Sequence, residues 1–201
     1  DVTTAPTCAF TDGASAAMDA GTSTASGSAS GWTCTVAVGD NDASGAMGYS
    51  IAFSDANGNA GTAVTSGSGS VTIDNTHPTL STPAITVNGD GNANNGDTVT
   101  LTYTSSSDVT TAPTCAFTDG AGAAMDAGTS TASGSASGWT CTVAVGDNDG
   151  NGAMGYSIAF SDANGNAGTA VTSGSGSVTI DNTHPTLGSV SIDEAGTGNA
   201  N

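Results

Sequence analysis

Four cysteines, a set of recurring Asp/Asn loops and two histidines are the residues whose types and spacing promise chemistry in this chain of 201 residues. Cys8 and Cys34 lie 26 positions apart, and Cys115 and Cys141 repeat that spacing. Paired cysteines at a fixed interval point to disulfides and an oxidising compartment. Closing a loop of that size stabilises a fold by roughly 3–4 kcal/mol in the chain-entropy picture. The alternative is a pair of buried thiols in each half. Neither a Cys-x-x-Cys motif nor a Cys/His cluster is present, which speaks against zinc.

The Asp/Asn loops come in four kinds. One is Asp40-Asn41-Asp42, with Asp147-Asn148-Asp149-Gly150 later. A second is Asp55, Asn57 and Asn59, matched by Asp162, Asn164 and Asn166. A third is Asp90-Gly91-Asn92-Ala93-Asn94 followed by Asp97. The last is Asp74-Asn75, matched by Asp181-Asn182. Alternating Asp, Asn and Gly offers side-chain and backbone oxygens on short flexible loops, which suits calcium, a hard cation that takes six to eight oxygens. The expected site is at a junction, built from Asp74 with Asp90 and Asp55, and equivalently from Asp181 with Asp162. The competing reading is plain turn chemistry, because Asp-Gly and Asn-Gly are the commonest hairpin turns. None of the loops ends in the bidentate Glu of an EF-hand.

Other chemistries are poorly served. The chain has no Lys or Arg and 18 acidic residues, for a formal charge of −18. Phosphate neutralisation needs cations, so nucleic-acid binding is excluded, as is a polybasic membrane patch. His77 and His184 are the bases that titrate near neutrality, and both sit in His-Pro dipeptides. No Ser, His and acid share a nucleophile-elbow context. The carboxylate pair Asp40 and Asp42 lies in a loop without aromatic platforms, a poor setting for glycoside chemistry. The chain reads as a non-enzyme. No apolar run is long enough to span a bilayer.

The elements that must position these loops are strands. With 30 Gly and no apolar period of 3.6 residues, helices are disfavoured. Period-2 alternation is clear instead: Val99, Leu101 and Tyr103; Cys115 and Phe117; Trp139, Cys141, Val143 and Val145; Met154, Tyr156, Ile158 and Phe160; Val178 and Ile180. With Ile85 and Val87, and a weak run around Met125, this makes about seven strands in roughly 100 residues, the count for a two-sheet sandwich.

The whole pattern recurs. Residues 1–80 return as 108–187 at an offset of 107, differing only at Ser15/Gly122, Ala43/Gly150 and Ser44/Asn151. Residues 81–94 align more loosely with 188–201. A repeat of this length suits one small domain. The expected divisions are an incomplete module over 1–77 that lacks its first two strands, a complete module over 78–184, and the first strand of a following module over 185–201. Either the chain is a window on a longer array, the preferred reading, or a neighbouring copy lends strands to the incomplete module.

The order Gly138-Trp139-Thr140-Cys141-Thr142-Val143, an Asp-Gly loop, Tyr156-Ser157-Ile158-Ala159-Phe160-Ser161-Asp162-Ala163-Asn164-Gly165-Asn166, and Val178-Thr179-Ile180-Asp181-Asn182-Thr183-His184-Pro185 resembles the bacterial immunoglobulin-like repeats of large surface adhesins and biofilm proteins. The paired cysteines and the lack of Lys and Arg depart from that pattern. The resemblance implies tandem immunoglobulin-like β-sandwich modules, with calcium between modules stiffening a rod. The expected function is a structural repeat of a secreted or cell-surface fibre or adhesin stalk, with neighbouring copies of the module as its partners. The alternative is an extracellular module that binds carbohydrate or another surface.

Overall fold

A computed structural model describes residues 2–89 and 91–192, so Asp90 of the expected calcium set lies outside the described residues. The chain is all-β: every regular element among the described residues is a strand. It divides into two compact units. The first takes the residues up to Thr79 together with Ser161–Gly168; the second takes Leu80–Phe160 and the chain from Thr169 onward.

The first unit contains β1 (Thr7–Thr11), β2 (Ala17–Thr24), β3 (Ser26–Ser28), β4 (Gly31–Thr33), β5 (Gly45–Ala46), β6 (Gly48–Ala52) and β7 (Thr72–Ile73). They form a sheet in the order β2-β1-β6 and the two pairs β3-β4 and β5-β7. The second unit contains β8 (Leu80–Val87), β9 (Asn92–Ala93), β10 (Thr98–Ser105), β11 (Thr114–Thr118), β12 (Ser130–Thr131), β13 (Ser133–Ser135), β14 (Gly138–Ala144), β15 (Gly152–Ala153), β16 (Gly155–Ala159) and β17 (Thr179–Ile180). Its sheets run β13-β14-β10-β8, β12-β11-β16 and β15-β17-β9, the last with a parallel β17-β9 pair. Several of these strands are only two or three residues long, so the sheets are smaller and more broken than seven full strands would give.

In the second unit the alternation closes a core. β10 and β14 pair antiparallel, with Tyr103 opposite Trp139, Leu101 opposite Cys141 and Val99 opposite Val143. β8 flanks β10 on its other edge, with Ile85 opposite Leu101. The side chains of one parity therefore point to one face, where Val99, Leu101, Tyr103, Trp139 and Cys141 are all buried, in one core with Ile158 of β16. The Cys115–Cys141 disulfide ties β11 to β14, and Cys8–Cys34 forms in the first unit at the same separation of 26. Both cysteine pairs are thus disulfides, as the spacing predicts, and a bond of this kind forms in an oxidising environment.

The same sequence is less closed in the first unit. β14 spans seven residues, whereas its counterpart β4 stops after three. β4 has only β3 beside it, while β14 has β13 on one edge and β10 on the other. A strand without a partner leaves its N–H and C=O groups to solvent, so the ladder ends early. The side chains follow: Val38 is 51% exposed where its counterpart Val145 is 2%, and Val71 is 53% exposed where Val178 is 1%.

One of the three positions that differ between the copies has a direct backbone reading. Ser15 sits at φ 65°, in the left-handed region that disfavours a side chain; its counterpart Gly122 takes φ 80°. Replacing Ser15 by Gly should therefore stabilise the first unit by about 0.5–1 kcal/mol, the relieved strain exceeding the added chain entropy of the unfolded state. The urea midpoint of the first unit reads this directly; an unchanged or lower midpoint would refute it.

Candidate functional site

The chemistry-bearing residues gather at turns, and the geometry there is built by Asp side chains. Among the described residues five aspartates are buried, Asp12, Asp42, Asp119, Asp149 and Asp162, in a chain that has no Lys or Arg to pair with them. An unpaired buried carboxylate is costly, so each must be held by hydrogen bonds. Backbone N–H groups supply them. Asp12 Oδ1 accepts from the N–H groups of Ala14 at 3.0 Å and Ala16 at 2.8 Å, and its Oδ2 accepts from Ala43 N–H at 2.9 Å. Asp119 repeats this with Ala121, Ala123 and Gly150. Asp42 accepts from Asp19 N–H and Gly39 N–H, and Asp149 from Asp126 N–H and Gly146 N–H.

Two aspartates hold their own turns. Asp55 accepts from the N–H groups of Asn57 and Asn59 and from Asn59 Nδ2; Asp162 does the same with Asn164 and Asn166. The linker asparagines add latches. Asn75 Nδ2 donates to the carbonyls of Gly39 and Asp42, and Asn182 Nδ2 to those of Gly146 and Asp149. Here the Ser44/Asn151 difference is conservative in effect: Asn75 N–H donates to Ser44 Oγ at 2.9 Å, and Asn182 N–H to Asn151 Oδ1 at 2.7 Å.

The sequence-predicted residues distribute as follows. Asp42 and Asp149 are cross-loop clasps, and Asp55 and Asp162 are turn centres. Asp40 and Asp147 are exposed. Within the first unit, Asp74 Oδ2 accepts from Asn164 Nδ2 at 2.6 Å, and its carbonyl accepts from Asn166 Nδ2 at 2.8 Å. Asp74 thus meets the 162–166 turn, while Asp55 keeps to its own. In that unit His77 Nδ1 also lies 2.8 Å from the carbonyl of Ala167. In the second unit Asp181 Oδ1 accepts from Thr183 N–H, beside a polar recess lined by Asn94, Asn95, Asn182 and His184. Asn92 lies on β9, whose pairing with β17 is to the strand that ends just before Asp181. Asp12 and Asp119 stand outside the four Asp/Asn loops that the sequence marks. Their signal was the Asp-Gly that follows a strand, which reads as a turn and says nothing of a partner 31 positions away.

The donor chemistry of these loops, all hard oxygen, suits calcium. In arrangement, each described carboxylate named here as a clasp or turn centre is already engaged by N–H donors, and no three His, Cys, Asp or Glu side chains gather among the described residues.

The electrostatic consequence is an acid-sensitive fold. The Ala43 N–H, followed by that of Ala16, holds the Asp12 carboxyl below its ordinary value of 3.8. The Gly150 N–H does the same for Asp119, and the Asn59 side chain for Asp55. At Asp162 burial pulls upward, but the Asn166 side chain and the turn N–H groups outweigh it and the value is again lowered. With folded values below unfolded ones, the unfolded chain binds more protons at acid pH. Their contribution is complete above the unfolded value of 3.8 and is lost as pH falls through the lowered folded values. Discharging the excess of carboxylates acts in the opposite sense by relieving self-repulsion, and salt suppresses that term. In high salt, the melting temperature should be flat down to about pH 5 and then fall steeply. Asp12→Asn with Asp119→Asn should lower the plateau and flatten the acid limb; an unaltered profile would show that the clasps do not carry the effect.

No protein-family model matches the chain, and no curated protein matches it significantly. Among the described residues no helix is long and apolar enough to cross a membrane.

Proposed function

We propose that the chain is a stretch of structural repeats, immunoglobulin-like β-sandwich modules chained head to tail in an extracellular fibre or in the stalk of a cell-surface adhesin. The observation that carries this reading is the repeat itself: 80 residues return at an offset of 107 with three differences. A spacer or lattice gains from near-identical copies; an active site gains little. Two further features support it. Each copy carries its own disulfide, which suits life outside the cell. Each copy also fastens its loops with carboxylate–N–H clasps. The absence of Lys and Arg leaves trypsin no site to cut, an advantage for a durable material.

Electron microscopy of the native protein, or of a chain of many repeats secreted through an oxidising compartment, tests the proposal. Regular rods with one module per roughly 40–45 Å, the length of a sandwich of strands of 6–8 residues plus turns, are the expected result. Separate beads that bind glycans would favour the carbohydrate-binding alternative and defeat the fibre.

Calcium belongs to this reading on donor chemistry, with Asp40, Asp42, Asp147 and Asp149 and the Asp74, Asp162 and Asp181 turns as the groups that would hold it. A melting temperature that rises with added calcium and returns in chelator is expected. Superimposable melting curves would leave these aspartates as turn fasteners alone.

A further inference from the structure

We infer that the first unit presents a receptor groove for one further copy of the repeat's own Leu80–Ser105 segment, which enters as a strand pair and completes the unit. This goes beyond the fibre reading and rests on the geometry of the two units, each taken by itself.

In the second unit the segment shows what it does. β10 lies along β14 and presents Val99, Leu101 and Tyr103, each no more than 2% exposed, to the core. Ser105 Oγ accepts a hydrogen bond from Trp139 Nε1 at 3.0 Å. Tyr103 Oη rests 3.4 Å from Cys115 Sγ and 3.7 Å from Cys141 Sγ, over the disulfide. β8 then closes on the far loop: Ile85 N–H donates to the Ser175 carbonyl at 3.0 Å, and a Cβ placed on Gly176 would run into the Ile85 carbonyl.

In the first unit the counterparts of these contact points are present, Cys8 buried and Trp32 and Cys34 only half-buried. Pro6, Cys8, Phe10, Trp32, Cys34 and Ile51 line an apolar groove of about 240 Å³. Trp32 Nε1 is buried and has no hydrogen-bond partner, where its counterpart Trp139 has the Ser105 hydroxyl. The edge beyond Thr33 carries no ladder where β14 continues to Ala144. Gly69, the counterpart of Gly176, faces open space. A buried indole N–H without an acceptor is a standing cost, and an open apolar groove beside an unpaired strand edge is a template for an added strand.

The groove therefore calls for an extended apolar segment that brings an acceptor to the Trp32 indole, and in the second unit the segment in this place has three alternating apolar side chains, a phenol at the third and a hydroxyl two residues after it. Val99-Thr100-Leu101-Thr102-Tyr103-Thr104-Ser105 meets each requirement at the right step, and β8 supplies the backbone that Gly69 leaves room for. The groove residues and those that grip β10 in the second unit are identical in type at all six positions, so the fit is that of the repeat to itself.

The test adds a synthetic peptide of residues 78–107 to the whole chain. The peptide contains no tryptophan, so the emission of Trp32 and Trp139 belongs to the protein. Saturation at one peptide per chain, a blue shift of the emission and slower reduction of Cys8–Cys34 are expected. A Leu101→Asp peptide should bind at least about tenfold more weakly, from the lost burial of one Leu side chain. In a second arm, the 78–107 segment is fused ahead of Asp1; Cys8–Cys34 should then resist reduction as well as Cys115–Cys141 does. Absence of binding together with an unprotected disulfide in the fusion would overturn the inference. Equal binding of the Leu101→Asp peptide would overturn it as well, by reducing the groove to a non-specific edge.

Discussion

Trp139→Ala should cost about 3–5 kcal/mol, the usual range for emptying a buried indole site, whereas the identical change at Trp32 should cost roughly 1–2 kcal/mol, in proportion to its smaller burial. The two tryptophans occupy the same position of the repeat and are flanked by the same residues, so the comparison isolates environment from sequence. Trp139 is 4% exposed, packs opposite Tyr103 and donates to Ser105 Oγ. Its loss opens a cavity under β10 and leaves that hydroxyl without its donor. Trp32 is half-buried beside an open groove, and its Nε1 has no acceptor. Truncation there creates no sealed cavity and removes an unsatisfied N–H, which offsets part of the lost apolar contact. Scanning calorimetry of the wild type and the two variants would read the difference. Equal losses would mean that the first unit is as closed in solution as the second.

The inward parity of the strands was legible from the sequence. Val99, Leu101 and Tyr103, then Trp139, Cys141 and Val143, stand on the buried side because alternation with Thr leaves only one apolar face. The disulfides followed from the repeated spacing. What alternation could not give was strand length. Residues 17–24 form an eight-residue strand in the first unit, while the matching stretch of the second yields only Ser130–Thr131, although the two sequences are the same. That stretch is Gly, Ser, Thr, Ala and one Asp, with Met18 or Met125 as its only large apolar anchor, so little pins its register. The shortening of β4 is likewise absent from local sequence, because a strand's length depends on whether a partner lies beside it.

The roles of the aspartates were partly legible. Asp55 and Asp162 act within their own turns, at i+2 and i+4, and local sequence is enough to see them as turn formers. Asp12 and Asp42 act across loops, on N–H groups 31 and 23 positions away. Nothing in the spacing of Asp12 and Ala43 announces their meeting; it is fixed only when the strands between them have paired. A composition without cations carries a hint nonetheless. If aspartates are to be buried at all in such a chain, backbone N–H groups are the donors that remain, along with Asn side chains and hydroxyls.

The same asymmetry governs the disulfides, where the second large effect is expected. Under mild reductant in native buffer, Cys8–Cys34 should open at least about tenfold faster than Cys115–Cys141, since thiolate attack needs access to sulfur and a sealed bond opens only with local unfolding. Cys115 and Cys141 are 0% and 1% exposed and lie beneath the Tyr103 phenol, whose pKa burial pushes up to about 12, keeping it neutral and uncharged over the bond. Cys8 is as buried, at 1% exposed, but Cys34 is only half-buried and lines the groove of the first unit, so access to this bond is through the Cys34 sulfur. Alkylation followed by mass mapping tells the copies apart on peptides that run unbroken from Cys8 to Ser15 or from Cys115 to Gly122, because shorter peptides around the two cysteines are identical in sequence. Once open, each bond should withdraw roughly 3–4 kcal/mol, the chain entropy of a loop of this size. The second unit has a closed core to set against that loss and should stay folded as a weakened structure. The first unit, with its core face uncovered, should lose its cooperative transition altogether. Equal reduction rates would show that solvent reaches both sulfur pairs alike, and the contrast between an open and a closed copy would then not hold in solution.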